Sequence, residues 1–169
     1  DKGKNAERML KLAGKLHDSN IPFLWFNFSD APLNNAPKGF VNVGTFHELQ
    51  PYIARADYLV QLSDREGFGY SVLEALTVGT AVICTPFSTT KELGVVDGKN
   101  GYIVPFDLDF DVEKLLSIPE FTYTWNNDKI LKQWDKLFKH PRKKKKDIPK
   151  GTVEVFITGE YKDIELDRV

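Results

Sequence analysis

The period of the apolar residues changes several times along the chain. Met9, Leu12, Ala13 and Leu16 recur at helical spacing opposite lysines and Arg8, which predicts an amphipathic helix over residues 5–18, ended before Pro22. The compact aromatic run Phe23-Leu24-Trp25-Phe26-Asn27-Phe28 then reads as a buried strand, and after a turn-rich stretch over 29–39, Phe40-Val41-Asn42-Val43 reads as a second, shorter one. Thr45 and Glu48 have capping-box spacing, so a helix is expected from there toward Ala56. Tyr58-Leu59-Val60-Gln61-Leu62 is a third strand, Gly79 closes the helix that follows it, and Ala81-Val82-Ile83-Cys84 is a fourth strand. Strand and helix alternating at this rhythm predict an α/β fold, an open parallel sheet with helices on both faces. Such sheets bind ligands beyond the carboxyl ends of their strands.

Farther on, Thr89 to Leu93 predicts a short helix, Asp97-Gly98-Lys99-Asn100-Gly101 a turn, and Tyr102-Ile103-Val104 a last short strand. Residues 111–117 and 127–138 read as closing helices, the second with Ile130, Leu131, Trp134, Leu137 and Phe138 on one face. The pattern breaks at His140, where two prolines bracket the five consecutive basic residues Arg142 to Lys146. We read 1–140 as the main domain and 141–150 as an exposed basic linker. Residues 151–169 form a β-hairpin-like tail, with strands over Thr152 to Ile157 and Asp163 to Leu166 around Gly159.

Composition narrows the picture only modestly. A chain of 169 residues is long enough for one domain, and its net charge of -1 supplies no global attraction to nucleic acid or anionic lipid. The basic run lacks interleaved aromatics, which favours a solvated linker over a nucleic-acid contact. The single cysteine, Cys84, excludes an intrachain disulfide and fits a reducing compartment. No apolar run approaches the roughly 20 residues that span a bilayer. The first residue is not methionine, so the chain is expected to be a processed product or a piece of a longer protein.

The candidate chemistry lies where the third strand ends. Glu66 and Glu74 stand eight positions apart in Glu66-Gly67-Phe68-Gly69-Tyr70-Ser71-Val72-Leu73-Glu74-Ala75-Leu76, a glycine-bearing turn feeding an apolar helix. Gly67 and Gly69 permit unusual dihedrals and close approach to a ligand, and the helix start offers unpaired N–H groups to an anion. If every step were helical, the two α-carbons would lie roughly 12 Å apart along the axis, and Glu66 precedes the helix, whereas retaining glycosidases need their carboxyl groups about 5–5.5 Å apart, so a hydrolase pair is not expected. Glu74 is instead placed to accept hydrogen bonds from vicinal hydroxyls such as those of ribose, with Glu66 at the far end of the same ligand. Two solvated surface acids are the alternative. His17, His47 and His140 are scattered and form no metal-ligand cluster. Helix-surface or capping positions explain His17 and His47 better than a general-base role does.

The segment from Glu66 to Pro86 resembles the donor-binding half of retaining glycosyltransferases of the GT-B fold, the group 1 family. That family carries Glu-Gly-Phe-Gly, an apolar residue, Leu-Glu-Ala, a small residue and glycine, then a Val-Ile strand ending near proline. Thr80 stands where proline is usual. Asp97-Gly98-Lys99-Asn100-Gly101-Tyr102-Ile103-Val104-Pro105 and Phe121-Thr122-Tyr123-Thr124-Trp125 are similar to later family segments, and Asp1-Lys2-Gly3 to an acid-Lys-Gly that follows the first strand. The likeness covers residues 1–138 and implies a Rossmann-like domain lacking its first, central strand and a phosphate-binding arginine. Strand addition by Thr152 to Ile157 is one way to fill that gap.

The resemblance further implies a nucleoside diphosphate sugar, such as a UDP-sugar, as donor. Glu74 would hold the ribose, while Lys2 and the backbone of Tyr70 and Ser71 would hold the diphosphate. Glu66, as catalytic residue, would meet the donor sugar together with Gly67, Phe68 and Gly69, and Val43 and Gly44 would contact the base. No metal or other cofactor is expected. The implied partner is an N-terminal acceptor-binding domain or a separate chain, and the acceptor is a glycan, a lipid-linked molecule or another compound, as in polysaccharide biosynthesis. The implied location is cytoplasmic, with the cytoplasmic membrane face open to it. A non-catalytic nucleotide-sugar-binding subunit is the rival reading.

Overall fold

Residues 6–128, residues 131, 132 and 135, and the backbone of 152–157 and 160–165 are described by the computed structural model. The first helix, α1 (Ala6–Asp18), buries Leu12, Ala13 and Leu16. Its basic side chains are not merely a solvated face. Arg8 donates from Nε to Phe106 O (2.6 Å) and from Nη1 to Leu62 O (3.0 Å), and its Nη2 pairs with Asp64 at 2.7 Å. Lys11 donates to Asp107 O at 2.6 Å, and Lys15 to Leu108 O and Phe110 O at 2.7 and 2.8 Å. The helix thus supplies donors to carbonyls of an irregular segment, 106–110, that has no ladder partner to satisfy them.

Strands β1 (Trp25–Asn27) and β2 (Phe40–Asn42) pair in parallel, with Trp25 opposite Phe40. The first is shorter than the aromatic run predicts. Between them, Asn42 closes the loop with its side-chain amide: Oδ1 accepts from Asn27 Nδ2 and Leu33 N, and Nδ2 donates to Leu33 O. Helix α2 (Gln50–Ile53) is much shorter than expected and starts after Thr45 and Glu48, so those residues form no capping box. Leu49 is its N-cap, with no side-chain cap bond, and Pro51 sits in the first turn, where its fixed φ and missing N–H are tolerated.

Strands β3 (Tyr58–Gln61), β4 (Ala81–Cys84) and β5 (Gly101–Ile103) form a second parallel sheet in the order β3-β4-β5. Helix α3 (Tyr70–Thr77) is the crossover between β3 and β4. Alternation along the strands feeds two cores. Leu62, Ile83, Tyr102 and Val104 pack with Leu12 and Leu16 of α1 on one face, where Phe23, Trp25, Tyr58 and Val60 join them. Val82 and Cys84 pack with Ile53, Val72, Ala75, Leu76, Phe87 and Leu93 on the other, with Leu59 and Ile103 alongside. Period-2 strands between helices on both sides give the doubly covered α/β layering that the sequence predicts. Thr80, buried, donates its hydroxyl to Ile53 O at 2.7 Å and so ties the end of α2 to the start of β4, a bond that proline in its place could not make.

Two expected helices take other forms. Residues 88–94 are hydrogen-bonded turns, and 112–116 is a 3₁₀ helix whose N-cap Asp111 accepts from Glu113 N at 2.9 Å. The parallel strands stand as two sheets, β1-β2 and β3-β4-β5, each with an unpaired edge among the described residues. Strand β6 (Thr152–Ile157) pairs antiparallel with β7 (Glu160–Glu165) as a hairpin forming a sheet of its own, with β7 starting three residues earlier than the Asp163 expected. The chain divides into a unit over Asp1–Trp125 and a second over Asn126–Val169. In the second, residues 127, 128, 131, 132 and 135 are helical. Lys2 and the basic run 142–146 lie outside the described residues.

The core also sets the behaviour of its one thiol. Burial, with a smaller push from Asp97 and an opposing hydrogen bond to Thr90, raises Cys84 from its ordinary 9.0 to about 12. Burial likewise raises the Tyr58 hydroxyl, with Tyr102 and Asp57 adding to it. The folded protein therefore keeps protons that the unfolded chain releases above pH 9, so stability falls as pH rises from about 9 toward 12. At pH 8 a water-soluble disulfide reagent should label Cys84 only after denaturant is added. Prompt labelling of the native protein would contradict this burial.

Candidate functional site

The site is built where β3 runs out. Residues 61 and 63 alternate with Leu62, which enters the core, so both side chains lie on the opposite side of the extended chain. The turn then brings Glu66 back onto them. Ser63 Oγ donates to Glu66 Oε1 at 2.6 Å, and Gln61 Nε2 donates to the same oxygen at 2.5 Å and to Ser63 Oγ at 2.6 Å. Ser63 is fully buried, and its carbonyl accepts from Thr85 Oγ1 at 2.5 Å. A carboxylate can only accept, so the Gln61 amide must present its nitrogen here. One Glu66 oxygen is thus occupied twice over by protein donors.

The turn is stitched to the loop after β4. Thr89 Oγ1 donates to Phe68 O at 2.6 Å and Ser88 Oγ to Glu66 O at 3.4 Å. The Phe68 ring packs between Tyr70 (5.0 Å) and Trp125 (5.8 Å, edge-on), so packing accounts for the side chain. The two glycines differ. Gly69 has φ 88 and ψ 47, and a Cβ there would come within 3.1 Å of Leu93 Cδ1 and 3.2 Å of Phe87 Cε2, so both backbone and space demand glycine. Gly67 does not adopt the left-handed region, contrary to the unusual dihedral expected of it, and a Cβ there would meet nothing within 4 Å. What it leaves is open space at its own α-carbon.

Gly69 is also the N-cap of α3, and its carbonyl accepts from Val72 N and Leu73 N. The N–H groups of Tyr70 and Ser71, ahead of that first bond, have no intrahelical partner. They point outward with the positive end of the helix dipole, and both residues are exposed. Glu74 lies one turn on, on the face away from the buried Val72, Ala75 and Leu76, and it is exposed. It is four residues from Tyr70, about 5–6 Å between Cβ atoms at this spacing, so the Glu74 and Tyr70 side chains share one side of the helix.

Val43 and Gly44 follow the end of β2. Val43 N continues the pairing to Asn27 O at 2.9 Å, and Gly44 is left-handed (φ 90) with open space at its Cβ. No hydrogen bond or ring contact among the described residues joins them to the 66–74 segment. Phe46, which sequence reasoning passed over, stands 47% exposed beside this turn and packs edge-on against Tyr52 at 5.5 Å. Gln61 and Ser63 were equally open to notice, as polar residues two apart at the end of an apolar strand. Among the described residues no three His, Cys, Asp or Glu side chains are placed to share a metal ion, and no helix is long and apolar enough to cross a membrane.

Parallel strands with helices on both faces, and a glycine turn delivering a carboxylate to a helix N-terminus beyond a strand's carboxyl end, define a Rossmann-like α/β domain. Its sequence matches the family model of glycosyl transferases group 1 over residues 38–130, more than half of the chain, and the chain belongs to that family. The match takes in β2 through β5 and the whole Glu66–Glu74 segment, and it leaves α1 and β1 outside. Comparison with curated proteins finds no match. Membership makes glycosyl transfer the chemistry with which the site is to be read.

Proposed function

We propose that the chain is the donor-binding half of a retaining glycosyltransferase, taking a sugar from a nucleoside diphosphate sugar and passing it to an acceptor held by a further domain or a partner chain. The observation that carries this reading is the Glu66 carboxylate, held by Gln61 and Ser63 on one oxygen only, directly before the left-handed Gly69 and the unbonded amides of α3. An acid and an anion-binding helix start, side by side, suit a ligand with hydroxyls at one end and phosphate in the middle.

In this reading Tyr70 N and Ser71 N receive the diphosphate, with Lys2 as a further cation. Glu74, one turn along the same face, accepts from the ribose hydroxyls. Val43 and Gly44 meet the base, where the left-handed glycine keeps the backbone open to close approach. Glu66 and the backbone of Gly67, Phe68 and Gly69 orient the sugar. As the bond between anomeric carbon and phosphate oxygen breaks, its electron pair leaves with the diphosphate. The acceptor hydroxyl forms the new bond to the anomeric carbon and gives its proton to the departing phosphate oxygen. The positive charge developing on the sugar faces Glu66, and the negative charge on the leaving group faces fixed N–H dipoles, so both are met by groups already in place and the reading calls for no metal.

Titration of UDP-glucose, GDP-mannose and ADP-glucose against the folded protein, by calorimetry, tests the reading. At least one should bind, and more tightly than the free sugar. A well-folded sample that binds none of them would sink it.

A further inference from the structure

We propose that Gln61 and Ser63 are positioning residues that set which hydroxyls of the donor sugar Glu66 can recognise. This inference rests on the reading of Glu66 as the sugar-side acid. The Glu66 Oε1 atom accepts from both Ser63 Oγ and Gln61 Nε2, and Gln61 also donates to Ser63 Oγ, so the three side chains form a closed triangle with every proton assigned. The triangle is anchored from beneath. Ser63 is fully buried, and Thr85, itself buried, donates to its carbonyl from the end of β4. Glu66 therefore cannot rotate to offer both oxygens without leaving two donors unpaired, a cost that rises with burial.

Two consequences follow for the ligand. With Oε1 filled by Gln61 and Ser63, Glu66 has Oε2 left for the sugar, so a vicinal pair of hydroxyls would be met at one oxygen and not bridged across both. Any hydroxyl held there must donate, because a carboxylate oxygen only accepts. The sugar end of the donor is thus read through one carboxylate oxygen whose aim is fixed by two residues acting through Glu66. Gln61 adds a second constraint, since its amide has spent both hydrogens within the triangle.

The test separates the sugar from the nucleotide. Affinities of UDP, GDP and ADP are measured beside those of UDP-glucose, GDP-mannose and ADP-glucose for wild type, Gln61→Met and Ser63→Ala. Wild type should bind one sugar-bearing donor more tightly than its nucleoside diphosphate, by roughly tenfold for one well-made charged hydrogen bond. In Gln61→Met, which keeps the side-chain length and removes the donors, that preference should fall to about twofold or less while nucleoside diphosphate affinity stays put. Ser63→Ala should act in the same direction and serves if Gln61→Met does not fold. A merely structural role would weaken both ligands together. Retention of the wild-type preference by a folded variant, or equal loss for both ligands, overturns the inference while leaving the donor-site reading standing. Failure of every nucleotide to bind wild type overturns both.

Discussion

Alanine at position 101 should lower stability by about 3 kcal/mol, the upper end for an overpacked core site. Gly101 opens β5 directly against β4, and a Cβ built on it would sit inside the Val82 carbonyl oxygen and 2.6 Å from Val82 Cγ2. Neither obstacle can step aside. The carbonyl belongs to the middle strand of the β3-β4-β5 sheet, and Val82 is itself fully buried in the core beside Val72 and Leu76. Relief would require separating the strands, at the expense of the ladder from Val82↔Gly101 to Cys84↔Ile103. A loss of this size is a large fraction of an ordinary domain's 5–15 kcal/mol and should lower the melting temperature by about 10 °C. Gly14→Ala is the control. It lies in the interior of α1 with nothing within 4 Å of the added carbon, and it should raise stability by roughly 0.5–1 kcal/mol. Melting curves that put Gly101→Ala level with Gly14→Ala would show that β5 does not approach β4 in this register.

Alanine at Glu74 should weaken nucleoside diphosphate binding by roughly 30- to 100-fold, the value of about 2–3 kcal/mol for hydrogen bonds from ligand hydroxyls to a charged acceptor. The helix should survive, because Glu74 is exposed and alanine is a better helix former. A ligand lacking the ribose hydroxyls isolates the contact. The 2′,3′-dideoxy nucleoside diphosphate should bind Glu74→Ala and wild type almost equally, and the double difference between the two proteins and the two ligands gives the coupling directly. Equal weakening of both ligands would assign Glu74 to general electrostatics and remove the ribose contact from the proposal.

The parts of the fold that were legible in the sequence were those in which period and punctuation agree. Ala81–Cys84 was bounded by Gly79 and Pro86, and α3 by Gly69 and Gly79, so both appear where the residues place them. The hairpin from Thr152 was marked by alternation and Gly159. The misses have a local cause. Thr45 and Glu48 have the spacing of a capping box but Pro51 fixes a later start, and a one-turn helix then has no need of them. Leu24 and Phe26 were read as buried with the rest of the aromatic run, yet both are exposed, since only one side of β1 has a core to enter. At the candidate site, the motif marked Glu66 and Glu74 but not Gln61 and Ser63, which donate to Glu66. Those bonds depend on the turn returning onto residues 61 and 63, which spacing alone does not disclose.

The separation of the parallel strands into β1-β2 and β3-β4-β5 bears on how any donor would be held. On the proposed reading the base rests after β2 and the sugar after β3, so one molecule reaches over the line where no backbone ladder crosses. It would then bridge two ladders that meet through the side chains of one core, with Trp25 of β1 packed against the same cluster as Leu62 and Tyr102.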